Sequence, residues 1–401
     1  MRADLTVPTG ERLFSPAGFD YQPRTRIVFG PGSLERLGAY AAELGARRVL
    51  LVTDGGIVAA GHARRAHDAM AGASVSVTTF DAVHENPTTL DVDTCLSVAK
   101  TAGVDAIVGL GGGSSIDTAK GCNFLLTNGG KMRDYWGVGK ASRDMLPLIA
   151  VPTTAGTGSE CQSFALIADE TTHQKMACGD PKAAARIAIL DPVLTLTQPP
   201  QVAACTGMDA VVHAVETAVT KPRNPLSLLF SHEAFRLAHA ALPRVLGEPQ
   251  DLEARGQMLL GAAYGGMAIE NSMLGAAHAA ANPLTAHHDV VHGHAVGLLL
   301  PHVVRHNAQD TEARRAYAEL LRRSGLGSSI DDDQAAVSEL VDRIELLLNA
   351  TGLPSSLSGC GIPRAAIEDL ANEAAKQWTA QFNPRAVGRD DFVGLYESAY
   401  E

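Results

Sequence analysis

Seven of the 14 histidines fall in one stretch: His278, His287, His288, His292, His294, His302 and His306. Upstream lies Asp209-Ala-Val-Val-His213. An Asp and a His four residues apart share one face of a helix, so both can reach one ion. His278 from a second helix and His292 from a third segment would complete a set of one carboxylate and three imidazoles. Such a set suits Fe(II) or Zn(II) and is poor for Mg(II) or Ca(II). One carboxylate leaves a divalent ion with a net single positive charge, which an alkoxide would neutralise. The site would therefore lower an alcohol's pKa and ready it to give up hydride; in reverse it would polarise an aldehyde carbonyl. For a single histidine the plainer reading is a hydrogen-bonded helix residue. His302 and His306 read that way, and His287, His288 and His294 stay open.

Two loops could hold a second ligand. Gly109-Leu-Gly111-Gly112-Gly113-Ser114-Ser115 follows one expected strand and opens an expected helix. Bare backbone lets a ligand approach closely, the free N–H groups of a helix start face an anion, and Ser114 could cap that helix. The spacing falls short of a full GxGxxG, so a tight turn without a ligand competes with this reading. Val151-Pro-Thr153-Thr154-Ala-Gly156-Thr157-Gly158-Ser159-Glu160 follows another strand and concentrates hydroxyls and glycines that suit pyrophosphate, ribose and carboxamide. Asp54 ends an earlier strand. Its carboxylate could accept from an adenosine ribose and repel a 2′-phosphate, favouring NAD over NADP, or it could simply cap a helix. Asn86-Pro87-Thr88 is a turn and helix cap or a further cofactor contact.

The elements that must carry these residues follow from patterning. Short apolar or β-branched runs at 49–53, 74–80, 106–110 and 146–151 alternate with helical spacing at 90–102 and 115–126. That rhythm predicts βαβ units and a mostly parallel sheet. Residues 26–30 add an outer strand, and 164–167 and 185–190 read as further strands of antiparallel type. Near Asp191-Pro192 the character changes. Helical spacing at 226–246, 252–281, 311–323 and 333–349 dominates, with Pro283, Pro301, Pro354 and Pro363 as punctuation. The expectation is an α/β dinucleotide-binding domain over 1–193, Rossmann-like, and an all-helical metal-binding domain over 194–401, with the cleft between them.

Composition narrows the classes. The chain has 401 residues, 46% hydrophobic and 19% charged, with a net charge of −11. That length suits two or three domains with ample core. The acidic balance and the lack of a Lys/Arg cluster argue against nucleic acid, and the lack of a long apolar run argues against a membrane span. The first ten residues lack a signal-peptide core, and the six scattered cysteines form no CxxC, so a cytoplasmic protein with inert thiols is expected.

Five stretches together resemble the iron-dependent (group III) alcohol dehydrogenase family: GGGSSIDTAKG from Gly111, VPTTAGTGSE from Val151, GMDAVVHAVE from Gly207, the block around His278, and VHGHAVGLLLPHVVRHN from Val291. They keep family order and cover nearly the whole chain. The resemblance implies a metal and catalytic role for Asp209, His213, His278 and His292. It implies cofactor contacts at Asp54, Asn86, Gly112, Gly113, Ser114, Thr153, Thr154, Thr157 and Lys175, and a homodimer. Glu216, one turn past His213, would orient an imidazole or be a surface carboxylate. Many relatives carry a histidine four residues after the equivalent of His278, near nicotinamide and substrate; here that residue is Asn282, which does not titrate near neutral pH. His287 or His288 are candidates to replace it.

The leading expectation is an NAD-dependent, Fe(II)- or Zn(II)-containing enzyme that interconverts an alcohol and an aldehyde or ketone, by hydride transfer from a metal-bound alkoxide. Competing readings are a hydroxyacid–oxoacid transhydrogenase, a dehydroquinate-synthase-like lyase on the same scaffold, and a non-catalytic metal-binding protein, which would show no cofactor affinity.

Overall fold

The computed structural model describes residues 18–401 apart from His173. Six strands form one sheet: β1 (Arg26–Phe29), β2 (Arg48–Val52), β3 (Ser76–Phe80), β4 (Ala106–Gly111), β6 (Leu148–Pro152) and β9 (Ile187–Leu190). Their order is β1-β9-β6-β4-β2-β3, and every pairing is parallel. Helices α1 (Leu37–Glu43), α2 (Gly55–Ala59), α3 (His62–Gly72), α4 (Thr89–Ala102) and α5 (Gly113–Asn128) make the crossovers. All six residues of β4 are buried, as expected of a central parallel strand covered on both faces. Alternate residues separate into two cores. Leu51, Val108, Ile149 and Ile189 pack on one face, and Leu50, Ile107, Leu148 and Ala150 on the other. Parallel strands end on one side of their sheet, so the loops after β2, β4 and β6 come together.

A second sheet holds β5 (Gly137–Val138), β8 (Lys175–Gly179) and β7 (Phe164–Ala168) in that order. Here one of two expectations holds and the other needs correction. The 164–167 strand is antiparallel, to β8, whereas the 185–190 strand is parallel and lies inside the main sheet between β1 and β6. A short buried run does not encode its direction, and the partner sets it.

The rest is helical: α6 (Pro200–Thr217), α7 (Pro225–Gly247), α8 (Leu252–Ser272), α9 (Ala276–His288), α10 (His292–Asn307), α11 (Thr311–Arg323), α12 (Asp333–Ala350), α13 (Ile367–Ala374) and α14 (Arg389–Ser398). Helix α6 is buried on nearly all sides, so it reads as apolar all round. Ala188 and Leu190 of the main sheet join the helical core, which seats the helices against the sheet. The helix expected over 252–281 is broken at Met273–Gly275, where Met273 has a φ of 63°. Pro283 and Pro301, expected to punctuate, instead lie inside α9 and α10. Burial of the surrounding alanines and leucines outweighs the lost hydrogen bond. Among the described residues no helix is long and apolar enough to cross a membrane.

Candidate metal centre and cofactor cleft

Helix α6 presents Asp209 and His213 one turn apart, with His213 Nε2 3.3 Å from Asp209 Oδ1. His278, in the first turn of α9, places Nε2 3.7 Å from the same oxygen, and His292, at the start of α10, places Nε2 3.9 Å from it. The rings of His213 and His278 stack at 4.9 Å, and those of His278 and His292 meet at 5.3 Å. Asp209, His278 and His292 form the tightest set, each offering one ligand atom, all within 4.8 Å of one another. His213 stands beside this triple, tied to it through the shared Asp209 oxygen. The side chains of Asp209, His213 and His278 are almost fully buried, whereas His292 is 25% exposed, so the group opens to solvent on the His292 side.

The donor set fits a metal on two observations. Asp209 Oδ1 and His278 Nε2 are buried without a hydrogen-bond partner, and such atoms are rare unless something else satisfies them. Second, the charges are strongly perturbed. Burial would raise the Asp209 carboxyl, yet His213, His278 and His292 hold it well below the usual carboxylate range. Burial opposes a charge on His278, yet Glu216 and Asp209 lift the ring to about 9. Burial keeps His213 and His292 neutral, the ligand form of imidazole.

Of the three imidazoles, His213 and His278 are oriented through their second nitrogen and His292 is not. His278 Nδ1 lies 2.6 Å from Glu216 Oε2, and Glu216 also accepts from the N–H groups of Gly275 and Ala277. Glu216 is therefore not a surface carboxylate; it fixes both the ring and the α8–α9 break. His213 Nδ1 lies 3.1 Å from the carbonyl oxygen of Gly156. That bond joins the metal group to the loop after β6. Nothing local in the sequence signals it.

Most of the cofactor candidates gather where β2, β4 and β6 end, whereas Asn86 follows β3 and Lys175 opens β8. Gly112 is the N-cap of α5, and Ser114 sits within its first turn instead of capping it. A Cβ on Gly113 would meet Thr157 Cγ2 at 2.8 Å, so the glycine lets the two loops touch. Thr153 is buried, its N–H donating to Gly111, while Thr154 and Thr157 are half-buried. Asp54 caps α2 through Ile57 N–H, and its other oxygen lies 3.4 Å from Ser115 Oγ, so capping and placement beside the glycine loop hold together. Thr88 caps α4 with Asp91, and Asn86 is exposed with a φ of 53°. Lys175 opens β8, and its charge acts on Asp209.

Sequence reasoning missed a buried polar cluster under the loops. Lys120 Nζ donates to Ser159 O, Ser159 Oγ and Phe164 O, and Ser159 Oγ donates to Asp117. The signal was available: Asp117 and Lys120 are the charges on an otherwise uncharged, largely buried helix. The histidines left open resolve into ordinary roles. His294 bonds Pro354 O, and His287 pairs with Glu373 at the surface, in a depression it shares with His288. Asn282 donates to Gln377.

Comparison with known proteins agrees with this geometry. Residues 23–192 match the family model of iron-containing alcohol dehydrogenase, and 203–400 match the C-terminal model of the same family. Alcohol dehydrogenase 4 of Schizosaccharomyces pombe is 34% identical, over 93% of this chain and 87% of its own length. A solved 1,3-propanediol oxidoreductase superposes with a TM-score of 0.92 at 30% identity, over 96% of this chain and 100% of that one. A sulfoacetaldehyde reductase from Bifidobacterium kashiwanohense, solved with NAD+, superposes with a TM-score of 0.85 at 29% identity, over 95% and 98%. With both halves matched and the donor group in place, the chain belongs to the iron-containing alcohol dehydrogenase family.

Proposed function

We propose that this protein interconverts an alcohol and an aldehyde or ketone with NAD(H), with Asp209, His213, His278 and His292 holding one Fe(II). The observation that carries the reading is the buried convergence of those side chains, joined by a single hydrogen bond to the loop after β6. The bound ion supplies Lewis-acid polarisation of the substrate oxygen. The chain does the rest. Glu216 fixes the His278 ring, and Asp54, Asn86, Gly112, Gly113, Ser114, Thr153, Thr154, Thr157 and Lys175 hold the dinucleotide so that hydride passes between substrate carbon and nicotinamide ring. Asn282, held by Gln377, hydrogen-bonds without relaying a proton.

The α/β domain ends near residue 193: the last strand of the main sheet stops at Leu190 and the first long helix starts at Pro200. A homodimer accords with β1 as an edge strand whose Phe29 is exposed. Six unpaired thiols fit a cytoplasmic setting. Relatives named as dehydrogenases and reductases favour this reading over a transhydrogenase or a dehydroquinate-synthase-like lyase. The test is anaerobic loading with Fe(II), followed by NADH oxidation over a panel of aldehydes, ketones and oxoacids. Oxidation with aldehydes or ketones is expected. Loaded protein that binds no NADH, or oxidises none with any carbonyl, refutes it.

A further inference from the structure

The β7–β8 ladder has two unlike faces. Ala165 stands opposite Cys178 and Ile167 opposite Met176, and all four are buried in one core. Alternation turns Phe164, Leu166, Lys175, Ala177 and Gly179 to the other face. On that side lies a cavity of about 430 Å³, walled by Trp136, Phe164, Ala177, Met273, Trp378 and Phe382. Trp378 stacks on Phe164 at 5.8 Å and meets Phe382 edge-on at 5.6 Å. The Phe164 ring lies where a Cβ on Gly179 would be, 2.3 Å from its Cε1, so the missing side chain sets the wall. Both tryptophans of the chain border this one cavity.

The cavity shares its supports with the metal group. Lys175 and Ala177 are two residues apart on one face of β8, about 7 Å along the strand, and the Lys175 charge acts on Asp209 and His292. Met273 lies two residues before Gly275, whose N–H binds the carboxylate that holds His278. Gln377, beside Trp378, accepts from Asn282, one turn beyond His278. Glu270, Asn271 and Ser272 at the rim are already engaged, and the Gln381 amide is exposed to solvent. Glu270 accepts from Ser163 and Arg24, and Ser272 Oγ donates to Ala268 O. A hydroxyl or charge on the substrate's tail would lose water there and gain little, whereas an alkyl or aryl tail gains the aromatic wall.

We propose that this cavity receives the carbon tail of the substrate, that the enzyme's substrates are alcohols and aldehydes with an alkyl chain of several carbons or an aryl ring, and that Trp378 determines that preference. The inference rests on the dehydrogenase reading above. Its test compares Fe(II)-loaded wild type, Trp378→Ala and Trp378→Phe with ethanol, 1-hexanol and benzyl alcohol as substrates for NAD+ reduction. Tryptophan emission is titrated with the same alcohols without cofactor. In wild type, kcat/KM for 1-hexanol and benzyl alcohol should exceed that for ethanol by about tenfold or more. Trp378→Ala should collapse that ratio, and Trp378→Phe should keep most of it. Emission should respond to 1-hexanol and not to ethanol. A ratio near one, or a ratio that Trp378→Ala leaves intact in a folded protein, overturns the assignment while the dehydrogenase reading stands. If no alcohol is turned over, that reading fails and emission alone decides: a response to 1-hexanol keeps the apolar subsite, and no response removes it.

Discussion

His213 and Gly156 are joined by a hydrogen bond of 3.1 Å, from a metal-group imidazole to a backbone carbonyl of the cofactor loop. Helix α6 and the loop after β6, 57 residues apart in sequence, are thereby held in one geometry. The loop reaches that position because residue 156 has no side chain. A Cβ there would lie 2.6 Å from the backbone oxygen and the Cβ of Thr206.

Gly156→Ala should therefore disturb both halves at once. Overpacking against backbone costs about 1–3 kcal/mol, and the displaced carbonyl releases the His213 ring. Metal titration and NADH binding should both weaken. Loss of one with the other unchanged would contradict the coupling.

Glu216→Gln keeps the shape of the side chain but removes the charge that faces His278 Nδ1 at 2.6 Å. Metal affinity should fall about 10–100-fold, read by competition with a chelator, while NADH binding stays near wild type. An unchanged affinity would make Glu216 a purely structural brace.

Asp54→Ser separates two roles of one carboxylate. Serine can still cap α2 at Ile57 N–H, so the melting temperature should move little. The charge that repels a 2′-phosphate is gone, so preference for NAD+ over NADP+ should narrow by about tenfold. Competitive binding of the two dinucleotides reads it directly.

Glu160 yields a pH prediction. Its Oε1 is buried without a hydrogen-bond partner, and burial pushes the carboxyl from its ordinary 4.5 up to about 7, against a smaller opposing effect of Lys120. The folded protein holds this proton more tightly than the unfolded chain. The group's contribution is thus complete below 4.5 and is lost as pH rises through about 7. Glu160→Gln, always neutral, should exceed wild type above that range by on the order of 3 kcal/mol, and the two should converge in acid. Urea midpoints at both ends check it; parallel curves would mean the carboxylate is already ionised when folded.

The sequence was most legible where chemistry is local. Asp209 and His213 share a helix face by spacing alone, and apolar runs located each strand of the main sheet to within two residues at either end. It was less legible where the outcome depends on distant partners. The direction of β9, the break at Met273, the passage of α9 and α10 through Pro283 and Pro301, and the place of Ser114 inside the first turn of α5 are all set by packing. The bond from Gly156 to His213 spans 57 residues, and the cavity at Trp378 is assembled from six separate stretches of chain, so neither leaves a pattern in any one window.

The most direct measurement is a crystal structure of the anaerobically Fe(II)-loaded protein with NAD+, with the ion located by its anomalous scattering. A single peak is expected at about 2.0–2.2 Å from an Asp209 oxygen and from one ring nitrogen each of His213, His278 and His292, facing the nicotinamide ring. A peak outside this group, a peak that leaves His213 unligated, or a nicotinamide pointing away from it would contradict the account.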